Sequence, residues 1–182
     1  MTKANILLGR FQPLTRGHIK CAIEGFRKNG IKTLLCVIYT PQEKKDPRHP
    51  FATEELIELY IETIKANSRY FHKEDIIFVK SAAFPIIFDE MEKRGYEPVG
   101  ILCGTDRVKD YKRQALKYTT REGKYIDCIE IKRSDEDISA TKAREALLNG
   151  DKETFYNIVE IPLSLKYKNS IFEKLQKIIK EI

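Results

Sequence analysis

Along this chain, short runs that are almost wholly apolar alternate with longer stretches in which apolar residues recur every three or four positions. The runs Ala4–Leu8, Lys32–Tyr39, Ile76–Lys80, Val99–Cys103 and Ile126–Ile131 predict strands. A strand that is apolar at successive positions is buried on both faces, which is the mark of a parallel sheet covered by helices. The stretches between them carry the helical period. Gly17–Lys28 places Ile19, Ala22, Ile23 and Phe26 on one face. Thr53–Ala66 has Thr53 as its expected N-cap and Leu56, Tyr60 and Ile64 on its inner face. Phe84–Arg94 is closed by Gly95. A basic stretch up to Tyr118 reads as partly helical. Ser139–Asn149, ended by Gly150, is followed by helices near Asp151–Val159 and Lys168–Ile182. The expected fold is α/β, a five-stranded parallel doubly wound sheet with extra C-terminal helices. It is read as one domain over residues 1–182, with 151–182 as a helical extension. Ile171, Phe172, Leu175, Ile178, Ile179 and Ile182 recur at helical spacing, so the last helix is expected to pack on the domain or on a second subunit.

Composition narrows this picture little. The chain has 182 residues, 42% hydrophobic and 33% charged, as expected for a globular protein. No apolar run reaches the length of a bilayer-spanning helix. Met1-Thr2-Lys3 leads straight into the first strand without a leader-like apolar segment, so the expected location is the cytoplasm and no membrane is expected as a partner. Cys21, Cys36, Cys103 and Cys128 are far apart, and three of them lie in strand-like runs. They read as small buried thiols rather than zinc ligands or a disulfide framework. The balance of 33 Lys+Arg against 27 Asp+Glu gives +6. The charges are interleaved, as at Glu173-Lys174, so no nucleic acid is expected as a partner; the excess suits a small anionic ligand.

In open parallel sheets, ligands bind beyond the carboxyl ends of the strands. The first strand leads into Gly9-Arg10-Phe11-Gln12-Pro13-Leu14-Thr15-Arg16-Gly17-His18. Neither glycine-rich phosphate motif occurs there, so other groups must hold phosphate. Gly9 is expected to let the backbone turn sharply and a ligand approach. Thr15, Gly17 and His18 open the next helix, where unpaired N–H groups and the helix dipole favour an anion. About 120 residues later, Ile138-Ser139-Ala140-Thr141-Lys142-Ala143-Arg144 offers a second capped helix start. Thr141 adds a hydroxyl there, and Lys142 and Arg144 add cationic donors.

Taken together, the two strings resemble the signatures of the adenylyl- and cytidylyltransferase superfamily, [HT]-x-G-H and I-S-x-T-x-[IA]-R. Gly-Arg-Phe-Gln-Pro is most similar to nicotinamide mononucleotide adenylyltransferases of the archaeal and viral type, with Thr15 where the first histidine usually stands. Lys45–Thr53 resembles their R-x-P-F-T segment with Ala52 inserted, although Glu55-Leu56 replaces the usual Glu-Arg pair. Gly104-Thr105-Asp106-Arg107 falls where relatives have a glycine-led nucleotide loop. The resemblance covers residues 4 to about 150 and implies a Rossmann-like sheet. It implies catalytic roles for His18, Arg10, Lys142 and Arg144. It places Gly9, Phe11, Thr15, Gly17, Gly104, Asp106, Ile138, Ser139 and Thr141 around the nucleotide. Arg48, Phe51 and Phe84 are candidates for holding the acceptor.

The implied reaction joins AMP from ATP to nicotinamide mononucleotide, giving NAD and pyrophosphate. A phosphate acceptor is already ionised and needs no general base, so alignment and charge neutralisation suffice. No residue is assigned to a metal; Mg2+ is expected to ride on the triphosphate. The expected partners are ATP and a phosphorylated small-molecule acceptor, with a homo-oligomer left open. Other readings are an adenylyl- or cytidylyltransferase for a different acceptor, and a nucleotide-binding regulator without turnover. Arg133–Ala140 lacks the R-T-x-G string of cytidylyltransferases, which lowers a cytidylyl reaction. The two phosphate motifs are expected to face each other with the triphosphate bridging them.

Overall fold

A computed structural model describes residues 1–123, 125–132, 139–161 and 164–182. Five strands, β1 (Thr2–Gly9), β2 (Thr33–Ile38), β3 (Ile76–Val79), β4 (Tyr96–Cys103) and β5 (Asp127–Glu130), form one parallel sheet in the order β3-β2-β1-β4-β5. The helices are α1 (Arg16–Asn29), α2 (Thr53–Ala66), α3 (Phe84–Lys93), α4 (Val108–Glu122), α5 (Ala140–Asn149), α6 (Lys152–Ile158) and α7 (Leu165–Lys180). This is the α/β architecture that the apolar runs predict. Strand order reverses at β1, with β2 and β3 on one side and β4 and β5 on the other. Gly9 and Cys103 therefore end the two strands that flank the switch point, the place where open parallel sheets generally bind ligands. No helix among the described residues is long and apolar enough to cross a membrane.

Contacts divide the chain into two compact units that interleave along the sequence. One comprises Met1–Gly9, Lys20–Ile38 and Glu74–Asp135; the other comprises Arg10–Ile19, Tyr39–Lys73 and Glu136–Ile182.

In the first unit, Ile6, Leu34, Cys36, Ile77 and Ile101 of the sheet pack with Ile87, Phe88 and Met91 of α3 and Ala115 and Tyr118 of α4. The other face of the sheet takes the C-terminal part of α1. Thr33 Oγ1 donates to Ala22 O at 3.0 Å. The approach is close enough that a Cβ on Gly25 would lie 2.3 Å from Leu102 Cδ2. One polar residue is fully buried inside β1. Asn5 exchanges amide hydrogen bonds with Asn29 at 3.0 and 2.9 Å and donates to Ile31 O at 3.0 Å, so its polarity is satisfied. None of the four cysteines is in a disulfide. Cys103 and Cys128, on neighbouring strands, bring their sulfurs to 3.2 Å. Burial pushes the thiols of Cys36 and Cys103 up to about 12, so neither is a ready nucleophile.

In the second unit, the C-terminal helices are capped and packed on one another. Ser139, Asp151 and Ser164 cap α5, α6 and α7 through their side-chain oxygens. Gly150 takes the left-handed conformation (φ 68°) that ends α5. Phe155 and Phe172 meet edge to face at 5.4 Å, and Gln176 Nε2 donates to Leu147 O at 3.1 Å. Most of the expected stripe on α7 is packed: Ile171, Phe172, Leu175 and Ile179 are buried and Ile178 is half-buried, but Ile182, beyond the end of the helix, is exposed. Helix α7 begins at Leu165, three residues before the predicted start, because Ser164 caps it. Helix α4 is continuous where only partial helix was expected; Lys109, Lys112, Arg113 and Lys117 are exposed on it, and its sequence holds no breaker.

Candidate functional site

The loop after β1 is shaped by contacts remote in sequence. Gly9 was expected to supply the sharp turn. It instead stays in β1, opposite Val37, and the left-handed residue is Phe11 at φ 49°. A non-glycine residue there is strained unless its surroundings hold it. Tyr60 of α2 does so: its hydroxyl donates to Phe11 O at 2.8 Å and to Arg10 O at 3.3 Å. Burial raises the Tyr60 phenol above its ordinary pKa, so it remains a donor. Gln12 fixes the next position. Its Nε2 donates to Phe51 O at 2.8 Å, and its Oε1 accepts from Phe51 N–H at 3.0 Å.

Helix α1 then opens on a reciprocal cap. Thr15 Oγ1 accepts from His18 N–H at 3.4 Å, while His18 Nδ1 accepts from Thr15 N–H at 3.0 Å. This is the logic of a capping box with an imidazole in place of the usual Glu. Since Nδ1 accepts, the neutral ring carries its proton on Nε2. The Phe11 ring meets the His18 ring edge to face at 4.9 Å, which fixes its plane.

The second motif reaches this loop directly. Arg144 Nη1 donates to Gln12 O at 2.8 Å and Nη2 to Thr141 Oγ1 at 3.3 Å. Burial lowers the Arg144 pKa from its ordinary value, with Glu145 and Asp46 opposing. A guanidinium remains protonated under such a shift; the energetic meaning is a partly desolvated cation. Ser139 Oγ accepts from Lys142 N–H at 3.1 Å and defines the start of α5. Thr141 and Lys142 are exposed on its first turn. Ile138 lies outside the described residues.

The segment after β2 packs beside the same loop. Arg10 Nη1 donates to Thr40 Oγ1 at 3.3 Å. Thr40 and Thr53 exchange hydrogen bonds, Thr40 N–H to Thr53 Oγ1 at 2.8 Å and Thr53 N–H to Thr40 O at 2.9 Å. Thr53 is therefore the first residue of α2 and not its cap. Ala52 holds that position, and its N–H is taken by Glu55 Oε1 at 2.7 Å. Glu55 also pairs with Lys45 at 2.8 Å, and Leu56 beside it is buried. Arg48 is exposed in the turn that precedes Phe51.

Within this unit, Arg144 meets the Arg10–His18 segment at Gln12 O, and the charges of Arg10, Arg48 and Arg144 all act on His49. Ser139, Lys142 and Phe51 lie in the same unit, and Gly9, Gly104, Asp106 and Phe84 belong to the sheet unit. Gly9 ends β1. Gly104 opens the turn after β4 with an ordinary extended backbone (φ −75°), and Asp106 is exposed within that turn. The two aromatic candidates for the acceptor need correction. Phe84 is only 2% exposed, with its ring against Phe88 and Tyr111, and Phe51 is fully buried. Position after a strand did not reveal that both rings turn into the protein. Gln12 and Tyr60, which shape the loop, were missed as parts of the candidate site. Among the described residues, no three His, Cys, Asp or Glu side chains gather as metal ligands.

Residues 6–146 match the sequence model of a family described as cytidylyltransferase-like. No curated protein matches the sequence. Among solved structures, the fold is similar to the nicotinic acid mononucleotide adenylyltransferase of Plasmodium falciparum complexed with APC. That match has TM-score 0.61 and 15% identity and covers 95% of this chain and 98% of that one. A Vibrio parahaemolyticus protein assigned as a nicotinate-nucleotide adenylyltransferase gives TM-score 0.58 at 15% identity, covering 100% and 98% of the two chains. Thermotoga maritima TmcAL bound with alpha-thio ATP gives 0.55 at 11%, with 100% of this chain on 56% of that one.

Proposed function

The chain belongs to the cytidylyltransferase-like family, and from that premise we propose that it is an adenylyltransferase joining AMP from ATP to nicotinamide mononucleotide, with release of pyrophosphate. The observation that carries this reading is the 2.8 Å hydrogen bond from Arg144 to Gln12 O. It ties the second motif's guanidinium to the loop that presents Arg10 and His18, so one polyphosphate can meet both motifs.

In the proposed step, a phosphate oxygen of the acceptor attacks the α-phosphorus of ATP. A P–O bond forms there as the bond to the β-phosphate bridging oxygen breaks, and pyrophosphate leaves with the electron pair. His18 Nε2–H and the Arg10 guanidinium stabilise charge at the inner phosphates. The α5 start, with Thr141, Lys142 and Arg144, takes the departing pyrophosphate. These groups are held before the reaction by the Thr15–His18 cap and the Gln12 clamp, which is the condition for effective electrostatic stabilisation. Mg2+ would be carried on the triphosphate substrate, where it would neutralise phosphate charge. Arg48 is the remaining candidate for the acceptor phosphate.

A second reading, nicotinic acid mononucleotide as acceptor, is favoured by the fold's similarity to the nicotinic acid mononucleotide adenylyltransferase of Plasmodium falciparum. Incubation of the protein with ATP and each phosphorylated acceptor, with pyrophosphate release and product mass as readouts, separates the two. Absence of pyrophosphate with every acceptor overturns the enzyme reading.

A further inference from the structure

One titratable side chain outside the assigned residues stands among their charges. His49 follows Arg48 in a turn closed twice by backbone bonds, Asp46 N–H to His49 O at 3.1 Å and His49 N–H to Asp46 O at 3.0 Å. Asp46 Oδ1 also accepts from the N–H groups of Arg48 and His49, each at 2.8 Å. Two residues later the Gln12 clamp holds Phe51, so the turn is fixed to the phosphate loop at its far side. The charged groups whose fields reach the imidazole are Arg10 from that loop, Arg144 from α5, and Arg48 and Asp46 from its own turn. Its Nδ1 is enclosed without a hydrogen-bond partner among the described residues. A histidine retained for packing ordinarily has that nitrogen satisfied. Here a ring that makes no described side-chain bond is held among three guanidinium groups.

We infer that His49 is part of the polyphosphate subsite, its imidazole supplying an N–H donor beside Arg10, Arg48 and Arg144 to a nucleoside triphosphate or pyrophosphate. The inference rests on the adenylyl-transfer reading, which supplies the anion. With Nδ1 enclosed, the contact falls to Nε2. In the free protein, burial and then the Arg10 charge hold the His49 pKa below 6.5, with Arg144 and Arg48 adding to this and Asp46 opposing. An anion bound by those guanidinium groups cancels their field. Ligand binding therefore raises the proton affinity of His49.

The test uses the full chain, with inorganic pyrophosphate and Mg2+ as the probe. The sequence holds three histidines, His18, His49 and His72, so the imidazole Cε1–H resonances can be assigned with His18→Asn and His72→Asn. Saturating pyrophosphate should move the His49 titration midpoint upward in the wild-type protein. His49→Gln should weaken pyrophosphate binding by calorimetry about tenfold, the weight of one hydrogen bond to a charged group, with its circular dichroism unchanged. An unmoved midpoint overturns the inference, as does a folded His49→Gln that binds pyrophosphate like wild type. Failure of the broader reading looks different: the wild-type protein then releases no pyrophosphate from ATP with any acceptor.

Discussion

Gln12→Ala tests whether the loop after β1 is built by the clamp on Phe51. The side chain of Gln12 is 3% exposed and makes two hydrogen bonds, at 2.8 and 3.0 Å, to both backbone groups of a fully buried residue. Truncation removes the bonds and also leaves the Phe51 N–H and C=O without their partner. Leaving a buried polar group unsatisfied costs about 1–3 kcal/mol, so two such groups give about 2–6 kcal/mol of lost stability. Water entering the space would bring the value toward the lower end. Urea denaturation of the variant and the wild-type protein measures the difference directly. Gln12→Glu is the sharper companion. The carboxylate can still accept from Phe51 N–H, but it sets a second oxygen against Phe51 O. It should be at least as destabilising near neutral pH and should recover as acid protonates it and restores a donor. A loss below about 1 kcal/mol in both variants would refute the clamp as the element that shapes the loop.

Other consequences are as direct. His18→Ala should lower kcat by about two to four orders of magnitude while leaving circular dichroism intact; near-normal turnover would remove His18 from the reaction. Phe172→Ala should cost about 3–5 kcal/mol, read by denaturation, because the ring is 1% exposed and packs on Phe155. Stability should also fall with acid in a window set by His49. Its folded pKa lies below the unfolded value of 6.5, so the unfolded chain binds more protons there. The neutral ring's contribution is present above about 6.5 and is lost as pH falls toward the folded value. His49→Gln should flatten that slope. Asp46, with its pKa lowered first by the His49 N–H bond, acts only below 3.8 and does not confuse the window.

The sheet was legible because each strand lies between two layers and so is apolar at successive positions, a local property. The capped starts of α1 and α5 were legible for the same reason: Thr15 and Ser139 act within three residues of themselves. What escaped the sequence acts at a distance. The Gln12 clamp spans 39 positions, the Arg144 contact with Gln12 spans 132, and the Tyr60 support of Phe11 spans 49. Glycine was the residue expected to turn the loop, and Phe11 turns it because Tyr60 makes the strain tolerable. Phe51 and Phe84 show the converse failure: a strand-end position locates the backbone, not the direction of the ring. His49 had no local signal, since its interest lies in Arg10 and Arg144 meeting it from other segments.

The nearness of α1 to the sheet at Gly25 bears on any effort to harden this protein. Design rules that score each residue by its helical preference would replace Gly25 with alanine and expect a gain. Here the added methyl carbon would have to share space with the Leu102 side chain, which already stands 2.3 Å from where it would sit. The substitution would force the helix outward or twist Leu102 from its rotamer, and overpacking of this kind outweighs the intrinsic preference. In a deep mutational scan, position 25 should therefore stand out as an intolerant site on a helix whose neighbouring exposed positions accept almost anything. A thermostabilised version of this chain would have to leave it alone.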